Sequence, residues 1–573
     1  MNVRNIDIAN IFYKLADLLE IDGENQYRIR AYRNAALNIE NLPQDISEMV
    51  KKGEDLTLLP GIGEDLADKI TDIVNNKELE LLKNLEEKIP VDFTNLTRIQ
   101  GLGPRKIKKL YDELGIKNVE ELKQAAEQKQ IRDIIGFSIK AEEHILEEIE
   151  KINEKYNRMK ISTAEEYTLP ILKYLREIES IEDIEVAGSF RRRQETIGDI
   201  DILVTCEDSE AVITKFVNYE EVDEILSNGE TRSSVILKSG LQVDLRVLPR
   251  KNYGAALLYF TGSKAHNIVI RSLAKQKGWK VNEYGLYDGE EYIVGETETD
   301  IYTKLGLPYF EPELRENRGE FEAAEEGNLP KLIKLSDMKG DLHTHTTLTD
   351  GKNTLEEMVE AAQKRGYKYI ANTEHSKRVA MVGGLDEKNV FENIKRIDKL
   401  NETLKNFTVL KSIEVDILED GSLDLPDSVL KELDIVVCSI HYNLNLSREK
   451  QTERILRAMD NPYFNILGHP TGRLINEREP YDLDMEKILQ KAKENNCIME
   501  INSQPSRLDL NDINSRAAKD MGVKLAISTD AHSVGQFDYM RFGIGQARRG
   551  WIEKKNVINT RNIADLKKLI KKR

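Results

Sequence analysis

Short apolar runs that each lead into histidine, acidic or amide side chains recur through the C-terminal part of the chain. Many of their residues are β-branched, and helical stretches such as "LEEMVEAAQKRG" lie between several of them. Buried strands that alternate with helices form a parallel sheet, and roughly seven or eight such units favour a closed barrel. Chemistry in such barrels gathers where the strands end. The runs are "YKYIANTEH" (367–375), "FTVLKSIE" (407–414), "LDIVVCSIH" (433–441), "FNILGHP" (464–470), "CIMEIN" (497–502) and "VKLAISTDAH" (523–532).

The strand-end residues include six of the eight histidines of the chain. Residues i and i+2 of a strand face the same way, so His343 and His345 can share one ion, as can Asp530 and His532. Imidazoles mixed with carboxylates suit zinc, manganese or iron. Because the candidates exceed what one ion uses, we expect two or three ions. The nine candidate ligands are His343, His345, Asp350, His375, Glu414, His441, His469, Asp530 and His532.

Residues 338–573 resemble the polymerase and histidinol phosphatase (PHP) domain, through "DLHTHTTLTDG", "TEHS", "IEVDIL", "SIH", "GHP" and "STDAHS" in that order. The resemblance implies a distorted seven-stranded barrel with up to three ions. The chain has "TEH" where the family usually has "TDH". Glu374 lies outside the implied ligand sets, so this departure concerns the orientation of the ligands more than metal binding. The implied ligand sets are His343, His345, Glu414 and Asp530 for one ion, Glu414, His441 and His469 for a second, and Asp350, His375 and His532 for a third.

A second constellation lies in "VAGSFRRRQETIGDIDIL" (186–203). Asp199 and Asp201 project to one face of a strand, and Asp244 in "LQVDLRVL" lies on another alternating strand. Clustered carboxylates repel one another unless cations lie between them, and magnesium uses few carboxylates together with phosphate oxygens. A solvated strand face is the alternative for "DID" by itself.

The residues around this pair of carboxylates suit a triphosphate. Gly188 and Ser189, at a strand-to-helix turn, offer backbone N–H and hydroxyl donors, and Arg192 adds positive charge. Gly198 leaves room for the close approach of a substrate. The region therefore predicts a nucleotide-binding site beside a magnesium site.

Residues 1–314 resemble the family X DNA polymerases, through the central motifs together with "LLYFTGSKAHNIVIR" (257–271), "VNEYGLY" (281–287) and "LGLPYFEPELRE" (305–316). The resemblance implies that Asp199, Asp201 and Asp244 hold two magnesium ions and that Ser189 and Arg192 contact the triphosphate. It also implies that Tyr259, Phe260 and Gly262 line the sugar, that Asn267 contacts the base edge and that Arg271 lies on the template side.

Three glycine-containing segments punctuate the first 155 residues, which have the apolar periodicity of helices: "LPGIGEDLADKI", "IQGLGPRKIKKL" and "IIGFSIKAEEHI". They resemble helix-hairpin-helix motifs, whose hairpin amides grip DNA phosphates without reading sequence. Backbone amides need no net positive charge, and Arg105, Lys106, Lys108 and Lys109 add a basic patch. The predicted DNA contacts are Gly61, Gly63, Gly101, Gly103 and Lys106.

Residues 1–88 resemble a small domain that in relatives removes a deoxyribose phosphate through a lysine Schiff base. Lys69 falls at the place of that nucleophile, although Asn34 and Asp65 replace basic residues that are common there. The alternative is a solvent-facing helical lysine.

The bulk properties limit the class of protein. A chain of 573 residues is too long for a single hydrophobic core, so we expect several domains. No apolar run reaches membrane-spanning length. The three cysteines, Cys206, Cys438 and Cys497, lack the spacing of a metal site, which predicts reduced cytosolic thiols. The net charge of −17 weakly disfavours nucleic acid as a partner, unless local patches or bound cations offset it. We predict an all-α helix-hairpin-helix domain at 1–88, a similar fingers-like domain at 89–157, an α+β palm at 158–250, a thumb at 251–314, a linker at 315–337 and an α/β distorted (βα)7 PHP barrel at 338–573.

The combined prediction is a cytoplasmic, monomeric DNA polymerase that fills short gaps during DNA repair. The barrel would act as a metal-dependent 3′-5′ exonuclease or a related 3′-end phosphoesterase. Gapped or primed DNA and dNTPs would be its partners, with magnesium at the polymerase site and manganese or zinc in the barrel. Two alternatives remain: a nucleotidyltransferase for a non-DNA acceptor with a barrel phosphatase, and a non-catalytic scaffold that bridges DNA.

Overall fold

The computed structural model describes residues 5–22, 24–40, 46–59, 61–76, 79–88, 96, 99, 102–134, 136–155 and 158–570. The chain divides into two compact units, residues 1–157 and 158–573. None of the helices in the described part of the chain combines the length and the apolar character that a membrane span requires.

The described residues of the first unit form helices joined by short turns, with no strand among them. Apolar side chains such as Phe12, Leu15 and Ile70 form its core. The helices are α1 (Asn5–Asp22), α2 (Gln26–Glu40), α3 (Ile46–Lys52), α4 (Glu64–Asn76), α5 (Glu80–Lys88), α6 (Pro104–Leu114), α7 (Val119–Glu127) and α8 (Ile139–Lys155).

The second unit begins with a five-stranded sheet that is packed by helices. Its strand order is β2-β4-β7-β6-β5, in which β4 and β7 run parallel and the other neighbours run antiparallel. The elements are β1 (Met159–Lys160), α9 (Ile161–Leu175), β2 (Asp183–Val186), α10 (Gly188–Arg191), β3 (Thr196–Ile197), β4 (Asp199–Thr205), α11 (Ser209–Val217), β5 (Val222–Asn228), β6 (Arg232–Leu237) and β7 (Gln242–Leu248).

A smaller layer follows, in which helices pack on a three-stranded antiparallel sheet of order β10-β9-β8. Its elements are α12 (Tyr253–Thr261), α13 (Lys264–Gln276), β8 (Trp279–Asn282), β9 (Gly285–Asp288), β10 (Glu291–Val294) and α14 (Glu298–Leu305).

Residues 315–337, predicted as a linker, combine exposed positions with side chains that are buried in the second unit. Arg315 is fully buried because Glu298 and the carbonyl of Phe310 accept its hydrogen bonds. Glu320, in α15 (Glu320–Glu325), is buried against His266, with Oε1 lying 2.9 Å from His266 Nδ1. The acidic composition of this segment therefore reflects partners inside the fold as well as solvent exposure.

The C-terminal region is a seven-stranded parallel sheet of order β11 to β17. A bridge between Thr344 and Ala531 links its two edges, so the barrel is nearly closed, and the predicted fold class is confirmed. The elements are β11 (Gly340–Thr344), α16 (Leu355–Lys364), β12 (Tyr369–Asn372), α17 (Glu387–Thr403), β13 (Thr408–Asp416), α18 (Asp427–Leu430), β14 (Ile435–Ser439), α19 (Arg448–Ala458), β15 (Ile466–Leu467), α20 (Met485–Glu494), β16 (Ile498–Asn502), α21 (Asp512–Met521), β17 (Leu525–Ser528), α22 (Met540–Arg549) and α23 (Ile563–Leu569).

The barrel and the five-stranded sheet share apolar packing. Ile475, Leu508 and Phe542 of the barrel region join the buried cluster that fills the sheet. Burial of apolar area at this contact stabilises one arrangement of the two layers. The two regions are therefore one packed body within the second unit.

Candidate active sites

Three aspartates meet near the beginning of β4 and β7, two interior strands of the five-stranded sheet. Asp201 on β4 lies directly opposite Asp244 on the parallel strand β7. Asp199 precedes Asp201 by two residues and therefore shares its face of the strand. Asp199 is exposed, whereas Asp201 and Asp244 are half-buried. The parallel pairing of two strands thus assembles the predicted carboxylate cluster.

The electrostatics of this cluster call for a cation. Burial, together with the charges of Asp199 and Asp244, raises the pKa of Asp201 to about 7. Gln242 Nε2 donates a hydrogen bond of 2.8 Å to Asp244 Oδ2, and the hydroxyl of Ser234 donates to Oδ1. Clustered carboxylate oxygens are ligands that magnesium accepts together with phosphate oxygens. The donor set therefore fits magnesium.

The turn between β2 and α10 supplies donors for a phosphate group. Gly188 has a φ of +62°, and a Cβ added there would lie 2.8 Å from Asp201 Oδ2, so a larger residue would displace the carboxylate. The hydroxyl of Ser189 is buried and has no hydrogen-bond partner among the described residues. Such an orphaned polar group is rare inside proteins and suits a ligand that completes it.

Two predicted nucleotide contacts have neighbours that the sequence does not reveal. Arg192 Nε lies 3.1 Å from Glu316 Oε1, and its guanidinium also donates to the carbonyl of Thr261. The space beside Gly198 is occupied by the side chain of Arg158, whose Nη1 would lie 3.2 Å from an added Cβ. Gly198 therefore makes room for an arginine of the protein.

The predicted sugar and base contacts lie where α12 meets α13. Asn267 Nδ2 donates a 2.7 Å hydrogen bond to the carbonyl of Tyr259, and the guanidinium of Arg271 lies 5.7 Å from the Tyr259 ring centre. Phe260 contacts the ring of Tyr259 edge-on. Gly262, with a φ of +70°, ends α12 and lets the chain turn into α13. These residues form one continuous group.

All nine predicted barrel ligands converge at the carboxyl ends of the strands. Glu414 lies at the centre, and one or the other of its oxygens is 3.0 to 3.6 Å from an imidazole nitrogen of each of five histidines: His343, His345, His375, His441 and His469. Asp350 and Asp530 contact the remaining histidine, with oxygens 3.3 Å and 3.8 Å from ring nitrogens of His532. Carboxylates thus alternate with imidazoles throughout the cluster.

The ligand atoms form three compact sets, in each of which the atoms lie within 4.8 Å of one another. His345 belongs to two sets, and His375 groups with Glu414 and His441 as well as with Asp350. Adjacent ions that share ligands are the arrangement that activates water and stabilises a leaving oxygen. The three sets are His345, Asp350, His375 and His532; His343, His345 and Asp530; and His375, Glu414 and His441.

Buried groups in the barrel fit a cation. Burial would lower the pKa of His375, but the Glu414 and Asp350 carboxylates raise it to about 10. Burial likewise opposes ionisation of Glu414, yet the imidazoles around it hold its pKa well below the usual value. Both ring nitrogens of His345 are buried without a hydrogen-bond partner in the described part of the chain. A bound cation would satisfy these nitrogens while keeping the carboxylates ionised.

Two of the barrel ligands have strained backbone conformations. Asp530 has a φ of +52° and His469 a φ of +26°, and a positive φ is uncommon for residues other than glycine. The surrounding barrel fixes this strain, and strain of this kind concentrates at functional sites.

A repeated hairpin precedes three helices of the first unit. In each hairpin, the apolar residue that follows the first glycine of the motif donates its backbone N–H to the carbonyl of the residue three positions earlier. These hydrogen bonds join Ile62 to Leu59 at 3.1 Å, Leu102 to Ile99 at 2.9 Å and Phe137 to Ile134 at 3.0 Å. The helices α4, α6 and α8 begin immediately afterwards. The three predicted motifs are therefore copies of one local structure.

The residues at these hairpins differ in detail. Gly61 has a φ of +73°, Gly63 has open space around it and Gly103 caps α6, whereas Gly101 lies outside the described residues. Ser138, which replaces a glycine, accepts a 3.2 Å hydrogen bond from the N–H of Ala141, so it caps its helix with a hydroxyl. Glycine is not required at this position.

The two lysines predicted to act in this unit both have contacts. Lys106 Nζ lies 5.5 Å from the ring centre of Phe137. The ammonium of Lys69 pairs with the carboxylate of Asp65, one turn earlier on α4, and donates to its carbonyl at 3.2 Å. Asp65 therefore both replaces a basic residue and binds the lysine proposed as the nucleophile.

Comparisons with known families cover all these regions. The DNA polymerase beta palm matches residues 158–266 and the DNA polymerase beta thumb matches 256–316. A helix-hairpin-helix domain matches 3–79, a SAM-like helix-hairpin-helix tandem matches 93–151, and the PHP domain matches 341–504. The DNA polymerase/3′-5′ exonuclease PolX of Bacillus subtilis is 36% identical over 570 residues, which cover 99% of this chain and 99% of that protein. The chain belongs to the PolX family.

The barrel of this PolX homologue has a second group of relatives. A protein named as a probable phosphatase in Thermoanaerobacter sp. is 34% identical over 247 residues, which cover 41% of this chain and 94% of that protein. A probable phosphatase of Clostridium acetobutylicum is 32% identical over 212 residues, or 35% of this chain and 82% of that protein. The PHP barrel therefore also resembles proteins that lack the polymerase part.

Several functional neighbours in this PolX homologue were not predicted. Glu500 on β16 lies 2.8 Å from His343 Nδ1, and it accepts a 2.6 Å hydrogen bond from the N–H of His469. Asp416 Oδ1 lies 2.9 Å from His441 Nδ1. Such partners fix the orientation of a metal-binding imidazole. The sequence indicated Glu500 and Asp416 only through their positions in the strand-end runs "CIMEIN" and "IEVDIL".

The polymerase site also contains a positively charged side chain, Arg246, that was not predicted. The guanidinium of Arg246 lies 4.3 Å from the ring centre of Phe260, and its charge opposes the rise in the pKa of Asp201. Arg246 follows Asp244 by two residues on β7, so strand periodicity could have placed it on the same face. Glu374, by contrast, accepts hydrogen bonds from the N–H of Thr346 at 3.1 Å and from Asn372 Nδ2 at 2.9 Å, as expected for a residue outside the ligand sets.

Proposed function

We propose that this PolX homologue is a DNA-directed DNA polymerase that fills short gaps during DNA repair, including base excision repair, and that its barrel removes nucleotides from 3′ ends. The presence of two separate cation-binding clusters in one packed body carries the proposal. A polymerase cluster made only of carboxylates suits nucleotide addition, and a barrel cluster rich in imidazoles suits hydrolysis.

At the polymerase site, Asp199, Asp201 and Asp244 would hold magnesium, which lowers the barrier by neutralising charge on the phosphates. Ser189 and Arg192 would bind the triphosphate, with the backbone of Gly188 close to it. Tyr259, Phe260 and Gly262 would line the sugar, Asn267 would face the base edge and Arg271 the template strand. Gly198 would act indirectly, by admitting Arg158 beside the site. Catalysis would rest on the positioning of the primer and nucleotide, without a covalent enzyme intermediate.

In the barrel, the eight residues of the three sets, together with His469, would hold two or three manganese or zinc ions. Those ions would supply a water of lowered pKa and stabilise the leaving oxygen. Glu500 and Asp416 would orient His343 and His441 through their hydrogen bonds. A buried, preorganised cluster would cleave the terminal phosphodiester without a covalent enzyme intermediate.

DNA would be held by the hairpin amides at Gly61, Gly63, Gly101 and Gly103, together with Lys106. We further propose the division into 1–88, 89–157, 158–250, 251–314, 315–337 and 338–573, with dNTPs as substrates, a monomeric state and a cytoplasmic location. The pairing of Lys69 with Asp65 disfavours a lyase role, and borohydride trapping on abasic DNA should yield no adduct.

A crossed pair of substitutions tests the proposal. Asp199→Ala should abolish primer extension on gapped DNA with magnesium while nuclease activity persists, and His343→Ala should abolish nuclease activity while extension persists. Full extension by Asp199→Ala, or full nuclease activity by His343→Ala, would overturn the respective assignment. Omitting the template separates a polymerase from a nucleotidyltransferase for another acceptor, and turnover of any kind excludes a scaffold.

A 3′-phosphatase is a second candidate for the barrel, because the barrel is 34% identical to a probable phosphatase. Primers that end in a 3′-phosphate or a 3′-hydroxyl distinguish the two. Release of inorganic phosphate without shortening of the primer would favour the phosphatase.

A further inference from the structure

A carboxylate at the end of the thumb match lies between an arginine of the polymerase site and an arginine of the barrel. Glu316 Oε1 is 3.1 Å from Arg192 Nε and 2.7 Å from Arg549 Nη1. The side chains are 12%, 11% and 6% exposed for Glu316, Arg192 and Arg549, so solvent screens these charges little. Arg549 is the last residue of α22, on the outside of the barrel.

Arg549 is held firmly in this position. Its Nη2 lies 2.8 Å from Asp512 Oδ2, and its Nη1 also donates a 2.9 Å hydrogen bond to the backbone carbonyl of Arg192. One turn earlier on α22, Gly545 also lies close to the polymerase segment, since a Cβ added there would be 3.3 Å from Arg193 Cβ. The barrel helix therefore packs directly on the segment that carries the triphosphate-binding residues.

The charges around Glu316 compete for it. Burial would raise the pKa of Glu316, but Arg549 and Arg192 lower it to about 2, so the carboxylate is ionised at neutral pH. A triphosphate must attract Arg192 in competition with this carboxylate. Because Arg549 takes the shorter of the two contacts, it satisfies much of the negative charge that would otherwise act on Arg192 alone.

We propose that Arg549 is a positioning residue for nucleotide binding, which neutralises Glu316 and thereby leaves Arg192 available to the triphosphate. The inference rests on the proposed function, in which Arg192 binds that triphosphate. The PHP barrel would then complete the nucleotide site of the polymerase through its outer surface, independently of its own metal cluster.

Single-nucleotide insertion on gapped DNA by the full chain tests this role. Arg549→Met should raise KM for the dNTP about tenfold and leave kcat within about twofold, because only nucleotide capture depends on Arg192 being free. Adding Glu316→Gln to Arg549→Met should return KM to within about twofold of the parent, since the competing charge is gone. Arg549→Lys, which keeps the charge and serves if the methionine variant does not fold, should raise KM less than about threefold.

Arg541→Met is the matched control. Arg541 lies on the same helix and pairs with the palm carboxylate Glu165, away from Arg192, so its loss should leave KM unchanged. An unchanged KM in Arg549→Met would overturn the inference. A rise in KM that Glu316→Gln does not reverse, or an equal rise in Arg541→Met, would also overturn it, because both indicate loosening of the interface alone.

Arg192→Gln separates this inference from the proposed function. If Arg192→Gln leaves nucleotide KM unchanged, the triphosphate assignment itself fails. If Arg192→Gln raises KM and Arg549→Met does not, the polymerase assignment stands and only the role of Arg549 fails.

Discussion

The palm cluster and the barrel cluster differ in how much of the chain supplies their residues and in how deeply those residues are buried. Asp199, Asp201 and Asp244 come from two neighbouring strands, and their cluster is partly exposed. The barrel ligands are spread from His343 to His532 and converge from the ends of several parallel strands into a buried pocket. The partly exposed carboxylates of the palm suit ions that arrive with a substrate. The buried imidazoles of the barrel suit ions that stay bound between reaction cycles.

Metal removal should give the largest contrast between the two clusters. After exhaustive chelation both activities should be lost, and magnesium alone should restore primer extension but not nuclease activity, because imidazoles favour softer cations. Manganese added afterwards should restore the nuclease. Metal content of the chelated and reloaded protein checks that ions were exchanged. Full nuclease recovery with magnesium alone would erase the proposed difference.

Gly188→Ala should have the second-largest effect, a loss of primer extension through damage to the palm cluster. Its Cβ would meet Asp201 Oδ2 at 2.8 Å, and displacement of that carboxylate by about an ångström should cost roughly 100-fold in extension rate. Gly240→Ala is the control, because Gly240 has a similarly positive φ of +81° but nothing within 4 Å of an added Cβ. Equal losses in both variants would mean that backbone strain, and not contact with Asp201, is responsible.

Glu500→Gln should weaken the barrel cluster alone. Loss of the charge that orients His343 and His469 should reduce metal affinity or nuclease rate roughly 10- to 100-fold. Metal titration followed by a nuclease assay measures both quantities. Glu494→Gln, on the exposed surface of α20, serves as the control. A fall in primer extension of the same size would show that the two clusters are not independent.

Ser234→Ala should have the smallest effect. It removes the hydroxyl that donates to Asp244 Oδ1, but Gln242 continues to hold Oδ2, so extension should slow by about tenfold. The adjacent Ser233 donates its hydroxyl to the carbonyl of Ser227 at 2.8 Å, on the other face of β6, and Ser233→Ala should keep the parent rate. Magnesium dependence of the rate distinguishes weaker metal binding from a slower chemical step.

The parts of the fold that depend on periodicity were predictable. Alternation on a strand placed Asp199 and Asp201 on one face, and the repeated strand-end histidines indicated the parallel barrel whose seven strands follow chain order. The three hairpins were predictable for the same reason, since each is a local turn that opens a helix. Family membership of the whole chain is confirmed by the PolX relative.

Other features were not predictable from local pattern. The acidic segment 315–337 was expected to be a linker, but Glu298 pairs with Arg315 and His266 pairs with Glu320, so both residues are buried in the fold. Glycine at 198 suggested room for substrate, and the space holds Arg158. In both cases the partner lies far along the chain, where neither periodicity nor composition reports the contact.

The amino-acid sequence by itself determined which side chains can bind cations and which strand faces carry them, because those properties repeat every two residues or lie in short motifs. Only the tertiary structure decided what surrounds them: Glu500 behind His343, Arg246 over Phe260, and Arg549 of the barrel on Glu316 beside Arg192. Such pairings arise when separate layers pack, and the same charged residue on an unpacked strand or helix would face water.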